Sequence, residues 1–309
     1  MTSSTPTRTF DELVAEAAAV PVDGWDFSWL DGRATEARPP WGYARAMGER
    51  VARASAVLDL QTGGGEIFAR ALEPLALEPL ALEPLALEPL ALEPLALEPL
   101  ALEPPTLEPR ALVPPATAPT RPVTAVATEG WPPNTVRAAA LLRPLGATVV
   151  AAADVPSLPF ADGAFDLVVS RHPVTAWWTE IARVLRPGGT YFSQEVGPAS
   201  VFELVEFFLG PRTPEERAVR DPERAAHAAR AAGLDVVDLR TAALRTEFHD
   251  IGAVVYFLRK VVWMVPGFTV ERYRDRLAEL HRRIEAEGPF VATTTRFLIE
   301  AVKTGRRPV

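Results

Sequence analysis

Residues 56–66 read Ala-Val-Leu-Asp-Leu-Gln-Thr-Gly-Gly-Gly-Glu. A short apolar run that ends at a glycine cluster reads as a buried strand turning into a helix, here expected over 64–72. Glycines let the backbone turn sharply and let a ligand approach the main chain. The same strand pattern recurs in VTAVAT (123–128), ATVVAA (147–152), FDLVVS (165–170), TYFSQEV (190–196) and DVVDLRTA (235–242). Helices are expected between them: 135–143 capped by Asn134, 175–186 stopped by Pro187-Gly188-Gly189, then 199–208 and 215–232. Further helices are expected at 9–20, 41–55, 251–262 and 269–286, and PFVATTTRFLIEAVK (289–303) reads as a final long strand. Strands alternating with helices predict an α/β protein with a doubly wound, Rossmann-like, mostly parallel sheet and helices on both faces. In such sheets ligands bind outside the carboxyl ends of the strands. That rule singles out loops 61–65, 129–134, 153–157, 170–175 and 194–200.

The composition narrows the function classes. The chain has 309 residues, 48% hydrophobic and 23% charged, enough for one sizeable core with a smaller cap. It contains no run of eighteen apolar residues, so no membrane span is expected. Its first residues, MTSSTPTRTFDEL, lack the layout of a secretory signal, and a cytoplasmic location is expected. Cysteine is absent, which excludes disulfides, thiolate metal sites and a cysteine nucleophile. The four His, at 172, 227, 249 and 281, lack metal-ligand spacing, so no metal is expected. The net charge is −8, and −6 of it lies in residues 71–122, which carry eight Glu and two Arg. Neither part is basic, so no nucleic-acid partner is expected. Lys occurs only at 260 and 303 among 32 basic residues.

From Ala71 the sequence repeats ALEPL six times without error through Leu100, then decays towards Pro115. Five residues are too few for a supersecondary repeat unit. A Pro every fifth residue removes helical donors and biases the preceding Glu to extended geometry. The expectation is an extended or disordered insert over 71–121 that the fold tolerates, since loop closure costs only about 0.6 kcal/mol per doubling of length. The insert is expected at the end of the sheet opposite the functional loops. The cap is expected over residues 1–55, with a helical insertion at about 250–287.

Three further stretches complete the pattern. Glu129 directly follows the second strand, where a carboxylate can accept ribose hydroxyls. Next comes Ala153-Asp154-Val155-Pro156-Ser157-Leu158-Pro159-Phe160-Ala161-Asp162-Gly163-Ala164-Phe165-Asp166-Leu167-Val168-Val169-Ser170, and then Val184-Leu185-Arg186-Pro187-Gly188-Gly189. In this order and spacing they resemble class I S-adenosylmethionine-dependent methyltransferases, most closely the type 11 group. The resemblance covers about 56–72 and 122–197.

It implies a seven-stranded sheet with an antiparallel last strand and a 56–309 methyltransferase domain interrupted by the insert. The implied cofactor is S-adenosyl-L-methionine, and the expected acceptor is a small molecule. Asp59 with Gln61, Thr62, Gly63, Gly64 and Gly65 would hold its methionine part, and Glu129 its ribose. Asp154 and Val155 would meet the adenine, while Ser170 through His172 would face the sulfonium and the acceptor. Gln61 departs from the family pattern, which has Gly there. If the position needs a positive φ, Gln costs about 1 kcal/mol or more; in an ordinary region it offers a hydrogen bond. Trp131 stacks near the adenine or packs structurally. The aromatic stretch from Trp25 to Tyr43 is expected to cap the pocket mouth. His172 is the leading candidate for a general base, with His249 second, because neutral His can take a proton near pH 7. Two other readings stay open: a non-catalytic methyltransferase fold that binds the cofactor or a partner, and a nicotinamide-dependent oxidoreductase, against which Asp154 and the VLRPGG turn count.

Overall fold

The computed structural model describes residues 8–24, 27–76, 124–152 and 156–305. The chain opens with α1 (Phe10–Ala19), β1 (Ala34–Glu36), α2 (Tyr43–Val51), β2 (Ala56–Leu60) and α3 (Glu66–Ala76). Next come β3 (Thr124–Glu129), α4 (Pro132–Leu142), β4 (Thr148–Ala151), β5 (Phe165–Arg171), α5 (Trp178–Val184) and β6 (Leu185–Val196). It ends with α6 (Phe202–Leu209), α7 (Pro214–Arg217), α8 (Pro222–Ala231), β7 (Leu234–Phe248), α9 (Ile251–Lys260), α10 (Arg274–Glu287) and β8 (Phe290–Lys303).

The strands form one sheet in the order β1-β7-β8-β6-β5-β2-β3-β4. Strands β2 to β6 pair in parallel, and β8 runs antiparallel between β6 and β7, as the expected last strand should. The sheet has eight strands among the described residues, not seven. The addition is β1, which pairs antiparallel with the end of β7. Its three residues, Ala-Thr-Glu, are too few and too polar to show a strand period.

Two apolar cores cover the faces of the sheet. One gathers α2, α3 and α4 around Met47, Phe68, Leu142 and Phe192; the other gathers α5 and α8 around Ile181, Ala226 and Tyr191. The apolar run of β2 follows from burial on both faces. A third core lies above the sheet, where α1, α6, α9 and α10 pack on Phe248 and Phe290. The strands β7 and β8 carry this cap. The register pairs Val196 with Arg296 and Arg296 with Ala242, so Ala243–Phe248 run on beyond β6 by about 20 Å.

The stretches that carried the family resemblance are structural clamps. Asp166 accepts hydrogen bonds from the backbone of Ser55 and Ala56, both at 2.8 Å, and pairs with Arg186 at 2.5 Å. Arg183 donates to Glu180, Asp162 and the carbonyls of Leu158 and Phe160. A Cβ on Gly189 would sit 2.9 Å from the Arg186 carbonyl, so only glycine fits. The Pro-Gly-Gly turn lies inside β6 as a register shift, because Leu185 already pairs with Phe165 before Thr190 pairs with Leu167.

Three other local expectations are corrected. Helix α4 starts at Pro132 with Trp131 as its N-cap, so Asn134 is a buried residue of the first turn; proline's preset φ suits a helix start. The 215–232 helix is two, because Arg220 has a φ of 67° and Asp221 caps a new helix at Pro222. Helix α3 extends into the first ALEPL unit and holds Pro74, with Ala71 and Leu72 buried. Five helical residues precede that unit, and Pro74 removes only one donor in the last turn. The remaining units lie outside the described residues. Their described flanks leave from the end of the sheet opposite the glycine loop, since Thr124 N–H donates to Ser55 O just before β2.

Candidate functional site

The glycine loop crosses the carboxyl ends of β2 and β3. Thr62 N–H donates to Thr128 O at 2.9 Å, and Thr62 Oγ1–H donates to Asp59 Oδ2 at 2.5 Å. Gly65 has a φ of 86°, and a Cβ there would meet Leu142 at 3.1 Å, so the loop packs against α4 only as glycine. Glu129 ties two loops together: Oε2 accepts Gly63 N–H at 2.8 Å and Oε1 accepts Trp131 N–H at 2.9 Å. Trp131 itself is 41% exposed. Burial pushes the Asp59 carboxyl up to about 7, opposed by the Thr62 hydroxyl and reinforced by the charge of Glu129.

Gln61 has a φ of 53°. Its amide Oε1 accepts Val174 N–H at 2.6 Å and its Nε2 donates to Thr175 O at 2.9 Å. The position does need a positive φ, so the ordinary-region reading is corrected; the side chain makes its hydrogen bonds from the left-handed backbone. The left-handed backbone costs about 1 kcal/mol, and two hydrogen bonds of about 1 kcal/mol each offset it. The side chain bridges the glycine loop to the loop after β5.

At the end of β5, Ser170 is buried, its Oγ donating to Leu60 O at 2.9 Å and its carbonyl accepting the Tyr43 hydroxyl at 2.6 Å. The Ser170 hydroxyl thus ties β5 to β2, and its carbonyl ties β5 to α2. His172 follows with a φ of 55°, its N–H donating to Gln194 O at 2.7 Å. Trp41 Nε1–H donates to Gln194 Oε1 at 2.8 Å, which orients the amide so that Gln194 Nε2 faces His172 Nε2 at 3.0 Å. That amide donates, so His172 Nε2 accepts and the ring proton sits on Nδ1. Burial holds the His172 pKa well below its usual value, and Arg171, Arg296 and Arg220 lower it further. The lone pair that a general base would use is already engaged by Gln194. On the opposite face of β6, burial pushes Glu195 up to about 7, with the Tyr191 hydroxyl 3.4 Å away.

The structure brings Asp59, Gln61, Thr62, Gly63, Gly64, Gly65 and Glu129 to one place, with Ser170 and His172 beside them. It does not bring His249 there. His249 follows β7 in the cap, its N–H on Arg33 O at 2.8 Å and its Nε2 3.9 Å from Glu247. Asp154 and Val155 lie outside the described residues. Sequence reasoning placed Gln194 and Glu195 in the functional loop 194–200 but gave neither a role, and both in fact lie in strand β6, just before its last residue. The aromatic character of Trp41 and Tyr43 pointed to the site mouth, and these two side chains do reach the ends of β5 and β6.

The comparisons with known proteins agree on the architecture. Residues 115–193 match a family of type 11 methyltransferase domains. A Bacillus halodurans protein proposed to be a methyltransferase superposes with a TM-score of 0.50 at 15% identity, covering 84% of this chain and 98% of its own. The YcgJ protein of Bacillus subtilis gives the same score and identity, with coverage of 85% and 99%. None of the curated proteins compared matches the chain.

The fold is that of class I S-adenosylmethionine-dependent methyltransferases. The family match starts beyond the ALEPL repeat, so β2 and its glycine loop join the methyltransferase fold through the superposition alone. S-adenosylmethionine, the cofactor of this family, carries a sulfonium and an ammonium charge together with ribose hydroxyls. Asp59 and Glu129 form no ion pair among the described residues, and the Glu129 oxygens each take one backbone N–H, leaving lone pairs for hydroxyls. Two carboxyl groups without a paired cation among the described residues, beside a glycine loop, fit a cationic, hydroxyl-bearing group. Among the described residues no helix is long and apolar enough to cross a membrane.

Proposed function

We propose that this protein transfers a methyl group from S-adenosylmethionine to a small-molecule acceptor. The observation that carries the reading is the Glu129 carboxylate, which joins Gly63 of the glycine loop to Trp131 beside the buried Asp59. In this reading Asp59, Thr62 and Gly63 to Gly65 hold the methionine part and Glu129 the ribose, with Asp154 and Val155 at the adenine. When bound, the cofactor supplies an electrophilic methyl group. The chain supplies orientation and exclusion of water. Tyr43, Trp41 and Gln194 lock the end of β5, so His172 presents a fixed neutral ring to the acceptor. His172 is then a positioning residue, and acceptors that need no strong base suit this site. His249, held in the cap, takes no part in the proton chemistry.

Calorimetric titration with S-adenosylmethionine and S-adenosylhomocysteine, with NAD as control, tests this. Micromolar binding of the first two and none of NAD is expected. A folded sample that binds neither would overturn the reading, and preferential NAD binding would move it to an oxidoreductase.

A second reading rests on Gln61. Its bridge to Val174 and Thr175 closes the glycine loop against the acceptor side, which suits a methyltransferase fold that binds without turnover. Cofactor binding with no consumption of S-adenosylmethionine across an acceptor panel, in the wild type and equally in Gln61→Gly, supports it. Turnover by the wild type removes it.

A further inference from the structure

Arg171 is the last residue of β5. Side chains two apart on a strand share a face, so Arg171 follows the buried Val169 onto the face that α2 and α3 cover. The register pairs Asp59 with Val169, which puts Asp59 on that face too, one strand across and two residues back from Arg171. Strands about 4.8 Å apart with a rise of about 3.3 Å per residue set the two Cα atoms roughly 8 Å apart. The Asp59 and Arg171 side chains form no ion pair with each other.

The groups that Arg171 feels are Tyr43 at the start of α2, Glu36 of β1, and Glu66 and Arg70 in the first two turns of α3. Glu66 directly follows the glycine loop, so Arg171 borders the same space as that loop. Both acids already serve other arginines: Glu36 pairs with Arg296 at 2.9 Å, and Glu66 lies 3.4 Å from Arg137. Among the described residues, the side chains of Arg171 and Arg70 make no hydrogen bond or ion pair. Arg171 is exposed, yet burial of its surroundings pulls its pKa down. A guanidinium that has lost part of its water without gaining a partner stands to gain most from an anion.

We propose that Arg171 binds the carboxylate of the cofactor's methionine end, with Arg70 adding positive charge beside it. This rests on the methyl-transfer reading. S-adenosylmethionine carries that carboxylate on the same carbon as its ammonium, so it presents both charges within a few bonds. Asp59 and Arg171, on adjacent strands of one face, then take the ammonium and the carboxylate in turn. The planar fork of a guanidinium matches a carboxylate with two parallel hydrogen bonds.

Calorimetric titration of the full chain with S-adenosylmethionine and with decarboxylated S-adenosylmethionine, which lacks that carboxylate, is the test. The wild type should bind the first about tenfold or more tightly than the second. Arg171→Gln should weaken S-adenosylmethionine by about tenfold and leave the decarboxylated ligand within about threefold, so that the preference disappears. Arg171→Lys should keep only part of the preference, because an ammonium retains the charge and loses the fork. Circular dichroism checks that each variant folds; should Arg171→Gln unfold, an undiminished preference in Arg171→Lys overturns the assignment. Equal binding of the two ligands by the wild type, or a preference that survives in Arg171→Gln, overturns it and leaves methyl transfer standing. Binding of neither ligand by the folded wild type overturns both.

Discussion

Asp59 and Glu195 are two buried carboxyl groups at the carboxyl ends of neighbouring parts of one sheet, on opposite faces. Burial pushes both up to about 7. Their surroundings differ in kind. Asp59 takes its hydrogen bond from Thr62, three residues on, and feels the like charge of Glu129. Glu195 sits near the Tyr191 hydroxyl and feels the opposite charge of Arg220. The first site is short of a cation; the second has one nearby. A shared direction of shift therefore conceals one group that meets a cationic ligand in the proposed reading and one with an arginine of the protein nearby.

The pH dependence of stability sharpens this contrast. An unfolded Asp ionises near 3.8, whereas folded Asp59 does so at about 7. Between those values the folded state holds the extra proton, so stability falls as pH rises and levels off above the folded value. The full penalty is about 4 kcal/mol. Asp59→Asn should remove most of that fall, seen as a higher urea midpoint at pH 8 and little change at pH 4, and it should weaken S-adenosylmethionine binding. Glu195→Gln should act in the same direction by about 3 kcal/mol and leave cofactor affinity unchanged. Equal loss of cofactor binding in both variants would break the comparison.

The loop beside Asp59 gives a smaller pair of effects. Gln61→Ala keeps the strained backbone and loses two hydrogen bonds, so about 2 kcal/mol of stability should go. Gln61→Gly loses the same bonds and relieves the strain, so it should cost about 1 kcal/mol less than the Ala variant. Chemical denaturation of the two variants measures the difference. If they are equally stable, the left-handed geometry at Gln61 carries no strain.

The smallest effect is expected at Trp41→Phe, about 1 kcal/mol, through the lost hydrogen bond to Gln194. The freed amide can rotate away from His172. The His172 ring should then titrate at a higher pH, read from its nitrogen chemical shifts. An unchanged titration would show that Trp41 does not orient the pair.

Much of this architecture was legible in the residue order. The bounds of β2 read directly from AVLDL, because a strand buried on both faces must be apolar along its length, and β8 read from the long run before Lys303. The glycine loop and Glu129 were legible for a related reason: each lies at the carboxyl end of a strand, so the topology places it. Strand β1 was not legible, since three residues, two of them polar, become a strand only when the end of β7 offers them a free edge. Nor was the state of His172. Its partner Gln194 lies 22 residues away, and Trp41 lies 153 residues from Gln194.

The sequence by itself determined the order of β2 to β8, the glycine loop and the acid that ends β3, because periodicity and turn chemistry act over a few residues. Only the tertiary structure decided the protonation preferences of Asp59 and Glu195, the engaged lone pair of His172 and the removal of His249 to the cap. Those properties depend on burial and on partners distant in the chain, and neither has a signature in local sequence.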